Sequence, residues 1–162
     1  MKVLIIYYSR SGHTKSIADM IGKRLGAVTE EVVDHRNRKG LWGFFVSGRE
    51  AYAKKIIPIE KLKNDISLYD LVIVGTPIWA GNMSSPIRSF LKKYKDKIPR
   101  IAFFTTSGGP DTKNIYLEIK QITAQKPVAV INLTNQDIKK QSYLKMVDNF
   151  VTSIKENLKD EK

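Results

Sequence analysis

The chain has 162 residues, 42% of them hydrophobic, with 28 Lys and Arg against 16 Asp and Glu, a formal net charge of +12, and no cysteine. That length predicts a single domain over residues 1–162, because a chain of about 150 residues buries roughly 68–70% of its unfolded surface around one core. The lack of cysteine excludes disulfides, thiolate metal sites, iron–sulfur clusters and a cysteine nucleophile, so any redox chemistry requires a bound cofactor.

Val3 to Tyr8 is a continuous apolar run, the pattern of a strand covered on both faces. It is also too short for a signal-peptide core or a membrane span, so a cytoplasmic location is expected. After the polar loop Ser9–Thr14, Ile17, Met20, Ile21 and Leu25 recur at helical spacing, and Gly26 stands at the C-cap position. Val28 to Val33 reads as a second, more polar strand. Residues 36–55 are the least regular stretch, with Leu41, Trp42, Phe44, Phe45 and Val46 set among glycines, Ser47 and basic residues. The leading expectation is a second crossover helix packing these aromatics on a sheet. A flap beside a ligand, a dimer contact or a basic-aromatic surface meeting membrane quinones are the other readings.

Leu71–Val74, Ile101–Phe104 and Val128–Leu133 are further buried strands. Ile87, Phe90, Leu91 and Tyr94 share one helix face, as do Ile115, Ile119 and Ile122, while Leu144, Val147, Val151, Ile154 and Leu158 step through a final helix. Lys159–Lys162 is expected to fray. The alternation predicts an α/β fold, a three-layer doubly wound sheet of five parallel strands with helices on both faces. Ligands of such sheets sit beyond the carboxyl ends of the strands, so the informative loops follow Tyr8, Val74 and Phe104.

Ser9-Arg10-Ser11-Gly12-His13-Thr14 places three hydroxyls, a glycine and a helix N-terminus within one short loop, which suits an anion. It matches neither G-x-x-x-x-G-K-[ST] nor G-x-G-x-x-G, which argues against nucleoside triphosphates and NAD at this loop and for a phosphate monoester. His13 is expected to contribute a backbone N–H rather than acid–base chemistry. The loop resembles (S/T)-x-(S/T)-G-x-T, with which the flavodoxin family grips the phosphate of FMN. Ser9, Ser11, Gly12 and Thr14 fill every defined position, and the resemblance extends over essentially the whole chain.

The resemblance implies strand order 2-1-3-4-5 and FMN as cofactor. Its phosphate would be held by Ser9, Arg10, Ser11, Gly12, His13 and Thr14. Its ring would lie between Thr76, Pro77, Ile78, Trp79, Ala80, Gly81 and Asn82 on one side and Thr106, Ser107, Gly108 and Gly109 on the other. Trp79 is the candidate for ring contact, and Gly81 for the peptide that reorients in this family, since glycine tolerates positive φ. The second clamp, Thr105–Asp111, departs from many flavodoxins in having no tyrosine between Thr105 and Lys113, which leaves the outer flavin face open.

Flavodoxins of the familiar kind are acidic, and this chain is the reverse; its positive field favours an anionic reduced flavin and redox partner proteins with acidic docking surfaces. The basic residues are spread along the chain, with concentrations at Arg36, Arg38 and Lys39 and from Lys92 to Lys97, and carry no nucleic-acid motif. The resemblance therefore implies an electron-transfer protein shuttling electrons between a reductase and an acceptor, with no catalytic side chain and no metal. The alternative is an FMN-dependent NAD(P)H oxidoreductase acting on a quinone or other small acceptor. A flavin-free signalling or scaffold domain is the third reading.

Overall fold

Beginning at the amino terminus, β1 (Val3–Tyr7) enters the core and leads through the first loop into α1 (His13–Leu25), β2 (Val28–Glu31) and α2 (Gly40–Tyr52). There follow β3 (Leu71–Trp79), the two-residue β4 (Asn82–Met83), α3 (Ser85–Tyr94), β5 (Ile101–Ser107), α4 (Lys113–Thr123), β6 (Val130–Thr134), α5 (Asn135–Lys139) and α6 (Tyr143–Asn157). This computed structural model describes residues 1–36, 38, 40–109 and 113–159; Asp160–Lys162 of the expected frayed end and Pro110–Asp111 of the second clamp lie outside them.

Five strands are parallel, in the order β2-β1-β3-β5-β6, which is the expected 2-1-3-4-5 arrangement of the parallel strands. Alternate residues of each strand feed two cores. Leu4, Ile6, Val72, Val74 and Phe103 face Ile87 and Phe90 of α3 and Ile115 and Ile119 of α4. Val3, Ile5, Ile73 and Phe104 face Ile17 and Ile21 of α1 and Val147, Phe150 and Ile154 of α6. Period-two side-chain alternation on strands covered from both sides thus builds three layers. One glycine is required in the sheet: a Cβ on Gly75 would stand 2.1 Å from the Phe104 ring, which occupies that space.

Several strand ends differ from expectation, and two short elements are added. The third strand continues past Val74 to Trp79, and β4 returns antiparallel on it through Ala80 and Gly81, giving a sixth strand where five were expected. Pro77 has no N–H to give to a ladder, and the parallel pairing of β3 with β5 ends at Pro77 with Thr106. The chain then turns back with positive φ at Ala80 (46°) and Gly81 (72°), the pattern of a two-residue hairpin turn. The second strand stops at Glu31, the fourth of the expected strands runs on to Ser107, and α5 is a short helix that no apolar period announced.

The largest correction concerns α2. Its buried residues are Gly43, Ser47, Glu50 and Ala51, while Leu41, Trp42, Phe44 and Phe45 are 56–82% exposed. The aromatics therefore do not pack on the sheet. The small inward face brings the helix close to the preceding loop, where a Cβ on Gly43 would meet the Arg38 carbonyl carbon at 2.2 Å.

Candidate functional site

All three expected loops converge on the carboxyl edge of the sheet. In the first, Gly12 takes φ 90° and caps α1, its N–H donating to Ser9 Oγ at 3.1 Å and its carbonyl accepting from Ser16 Oγ at 3.0 Å. These bonds fold the loop so that the N–H groups of His13, Thr14 and Lys15 have no acceptor among the described residues. With the helix dipole behind them, they form a positive, open end. Ser11 and His13 are exposed there, and the exposed Arg10 sets its guanidinium 5.2 Å from the Phe44 ring of α2. The Ser9 N–H is turned to the Glu31 carboxylate. Burial pushes the Glu31 pKa above its ordinary value, with the Ser9 bond acting in the opposite direction.

The second loop is tied at its base. Thr76 is fully buried; its Oγ1 accepts the Ser84 N–H at 3.0 Å and bonds Ser84 Oγ at 2.9 Å, which anchors the start of α3. At the tip, Asn82 Nδ2 donates to the Ala80 carbonyl at 2.8 Å, and Gly81 has the positive φ expected of it. Trp79 is only 8% exposed; its ring meets Tyr8 edge-on at 5.6 Å, and the Arg38 guanidinium lies 5.2 Å from its centroid. Its ring thus lies within the structure, and the exposed hairpin tip is Ala80–Gly81.

The third loop is joined to the first. Thr14 Oγ1 and Thr106 Oγ1 are 2.8 Å apart and both are buried. Whichever hydroxyl accepts in that pair keeps its own O–H for a third atom. Gly108 and Gly109 are exposed, and neither glycine would carry its Cβ into a neighbour, so their backbone faces open space.

Two groups of supporting residues were not expected from the sequence. Asn132 of β6 accepts from Thr105 Oγ1 at 2.7 Å and from Ser107 Oγ at 3.0 Å, and its amide reaches the Gly109 carbonyl, so one side chain shapes the third loop. Beneath the second loop, the buried Arg38 donates to Asp34 Oδ2 at 2.8 Å, Ser47 Oγ at 3.0 Å and Glu50 Oε2 at 2.8 Å. Tyr8 donates to the other Asp34 oxygen at 3.3 Å, and Arg36 pairs with Glu50. Burial opposes the Arg38 charge, but Glu50 and Asp34 more than offset it and hold its pKa above the usual value. Burial and then Asp34 push the Tyr8 phenol up, so it stays a neutral donor. The only local signal of this network was Asp34 and Arg38 four residues apart; Glu50 and Trp79 reach it through the fold.

A hollow of about 360 Å³ bounded by Met1, Asp70, Arg100, Lys155 and Leu158 lies at the amino ends of the strands, opposite the edge where such sheets bind ligands. The candidate site is therefore the three-loop edge.

Residues 2–150 match the family model described as Flavodoxin. The chain belongs to the flavodoxin family. Among solved structures, this flavodoxin is similar to a flavoprotein in complex with FMN from Lactobacillus acidophilus, with 26% identity, a TM-score of 0.67, and 87% of this chain and 98% of that one covered. A flavodoxin bound to flavin mononucleotide from Fusobacterium nucleatum shares the fold at 14% identity and TM-score 0.58, over 96% of this chain and 98% of that one. Among curated proteins, one named NAD(P)H dehydrogenase (quinone) from Chromohalobacter salexigens is 32% identical over 57% of this chain and 46% of its own length. Another of that name from Bradyrhizobium diazoefficiens is 36% identical over 56% of this chain and 45% of its own. The chain thus spans about half the length of the curated relatives it matches.

Proposed function

We propose that this flavodoxin binds FMN at the three-loop edge and carries electrons between a reductase and an acceptor. The observation that supports it most is the open helix N-terminus at Gly12–Thr14, joined through Thr14 and Thr106 to a loop with exposed glycine backbone. The residues present fit the group: the N–H groups of His13, Thr14 and Lys15 and the hydroxyls of Ser9, Ser11 and Thr14 suit a phosphate monoester. Thr106, Ser107, Gly108 and Gly109 on one side and Pro77, Ile78, Ala80, Gly81 and Asn82 on the other hold the edges of a flat ring. Thr76 and Trp79 support the second loop from beneath. When bound, FMN supplies the electron-accepting ring, and the protein supplies binding and orientation.

Partners with acidic docking surfaces suit the net charge of +12. Among the described residues no helix is long and apolar enough to cross a membrane. A second reading, an NAD(P)H oxidoreductase acting on a quinone, is favoured by the names of the curated relatives and by the lack of a tyrosine between Thr105 and Lys113 that could cover the ring.

Anaerobic mixing of the FMN-loaded protein with NADPH or NADH separates the two. A carrier shows no bleaching of flavin absorbance until a reductase is added. Direct bleaching with turnover of a soluble quinone would establish the second reading.

A further inference from the structure

Among the described residues, the outward face of α2 packs against no other helix or strand; its one side-chain neighbour from another element is Arg10, 5.2 Å from the Phe44 ring. Leu41, Phe45 and Tyr52 are 82%, 68% and 76% exposed and fall on one stripe of the helix, with Trp42 (79%) on one flank and Phe44 (56%) on the other. Ile56 beyond the helix adds a further exposed apolar side chain at 56%. The inward face, by contrast, is Gly43, Ser47, Glu50 and Ala51. The helix is inverted, with its small and polar residues toward the core and its large apolar ones toward solvent, and contiguous exposed apolar surface of this kind marks an interaction site.

We propose that this face of α2 docks on an anionic lipid surface, with Leu41, Trp42, Phe44 and Phe45 seated among the headgroups. The charge around the patch selects that occupant. Arg10 borders Phe44, Arg49 lies on the Trp42 flank, and Lys54 and Lys55 follow the helix, all of them exposed. Aromatic and apolar residues with a basic border are the composition of a helix lying in an anionic membrane interface, where each basic residue near the surface adds attraction. A second copy of the chain brings the same basic border and a net charge of +12, so self-association at this face is opposed by repulsion. The geometry also favours lipid over an acidic protein: the exposed apolar groups spread from the central stripe onto both flanks of the helix, and a protein groove would have to wrap them on both sides, whereas a headgroup layer closes around them. The contact between Arg10 and Phe44 places the first loop beside the docked face. The proposal does not depend on the cofactor reading.

The test is flotation of the full chain with phosphatidylcholine vesicles and with vesicles of phosphatidylcholine and phosphatidylglycerol, followed also by tryptophan emission. Trp79 is already buried, so a blue shift on binding reports Trp42. The wild type is expected to bind the anionic vesicles at least about tenfold more tightly than the neutral ones, and high salt to release it. A Trp42→Ser, Phe45→Ser variant with unchanged circular dichroism is expected to lose at least about tenfold of that binding in flotation. Failure of the wild type to float with anionic vesicles would overturn the proposal, as would equal binding by the variant. A wild-type dimer in light scattering that the same variant converts to monomer would assign the face to a second copy instead.

Discussion

Thr14 carries two duties. Its hydroxyl sits 2.8 Å from that of Thr106, and it opens a helix whose first N–H groups are free for an anion. Thr14→Ala removes both the tie and a hydroxyl for the phosphate, and is expected to weaken FMN by roughly 1–3 kcal/mol in a calorimetric titration. Thr106→Ala leaves Thr14 in place and is expected to cost no more than about 1 kcal/mol. This part of the site was legible in the sequence, because the hydroxyls, the glycine at φ 90° and the helix start lie within six consecutive residues. The setting of Trp79 was not legible. Its burial depends on Tyr8 and Arg38, which the fold brings to it from 71 and 41 positions away in the sequence.

At the scale of elements, α2 shows what periodicity leaves open. A helix was expected here from the alternation of strands and helices, but which side faces inward was set by close approach rather than by apolarity: a Cβ on Gly43 would reach backbone atoms of Arg38 at 2.2–2.6 Å. Gly43→Ala must therefore push the helix off its seat and is expected to lower unfolding stability by roughly 1–3 kcal/mol in urea titrations. Gly48→Ala, in the same helix with open space at its Cβ, is expected to stabilise by up to about 1 kcal/mol.

The short α5 is held by a reciprocal cap, in which Thr134 Oγ1 accepts the Asp137 N–H at 3.2 Å and the Asp137 carboxylate accepts the Thr134 N–H at 2.8 Å. The Thr134 hydroxyl, and then its N–H, hold Asp137 below the ordinary carboxylate range. A carboxylate lowered in the folded state stabilises it above the unfolded pKa, and that contribution is lost as pH falls through the folded one. Thermal melts of Asp137→Asn are accordingly expected to show a shallower loss of stability in acid than the wild type. Such a cap is a four-residue signal, Thr134 to Asp137, that apolar periodicity passes over.

Across the whole molecule, the parallel sheet was legible because its three central strands, β1, β3 and β5, begin as continuous apolar runs buried on both faces, while the more polar edge strands β2 and β6 overlap the segments read as strands beside them. The sixth strand was hidden because Pro77 and Gly75 read as loop residues, while the structure uses Gly75 to admit the Phe104 ring and Pro77 to end the parallel ladder. Neighbouring helices within one side layer are also tied by a polar pair that no local pattern reveals. Arg88 of α3 donates to both oxygens of Glu118 of α4, at 2.6 and 3.2 Å, with both side chains buried. Glu118→Ala leaves a buried guanidinium without its carboxylate and is expected to cost roughly 3–5 kcal/mol of stability.

The proposed cofactor site rests on the open N-terminus of α1 holding a phosphate. Parallel calorimetric titrations of the apoprotein with FMN and with riboflavin, which lacks the phosphate, test it most directly. FMN is expected to bind at least about tenfold more tightly than riboflavin, and Thr14→Ala to narrow the difference. Equal affinity for the two flavins, or no binding of FMN at all, would contradict it.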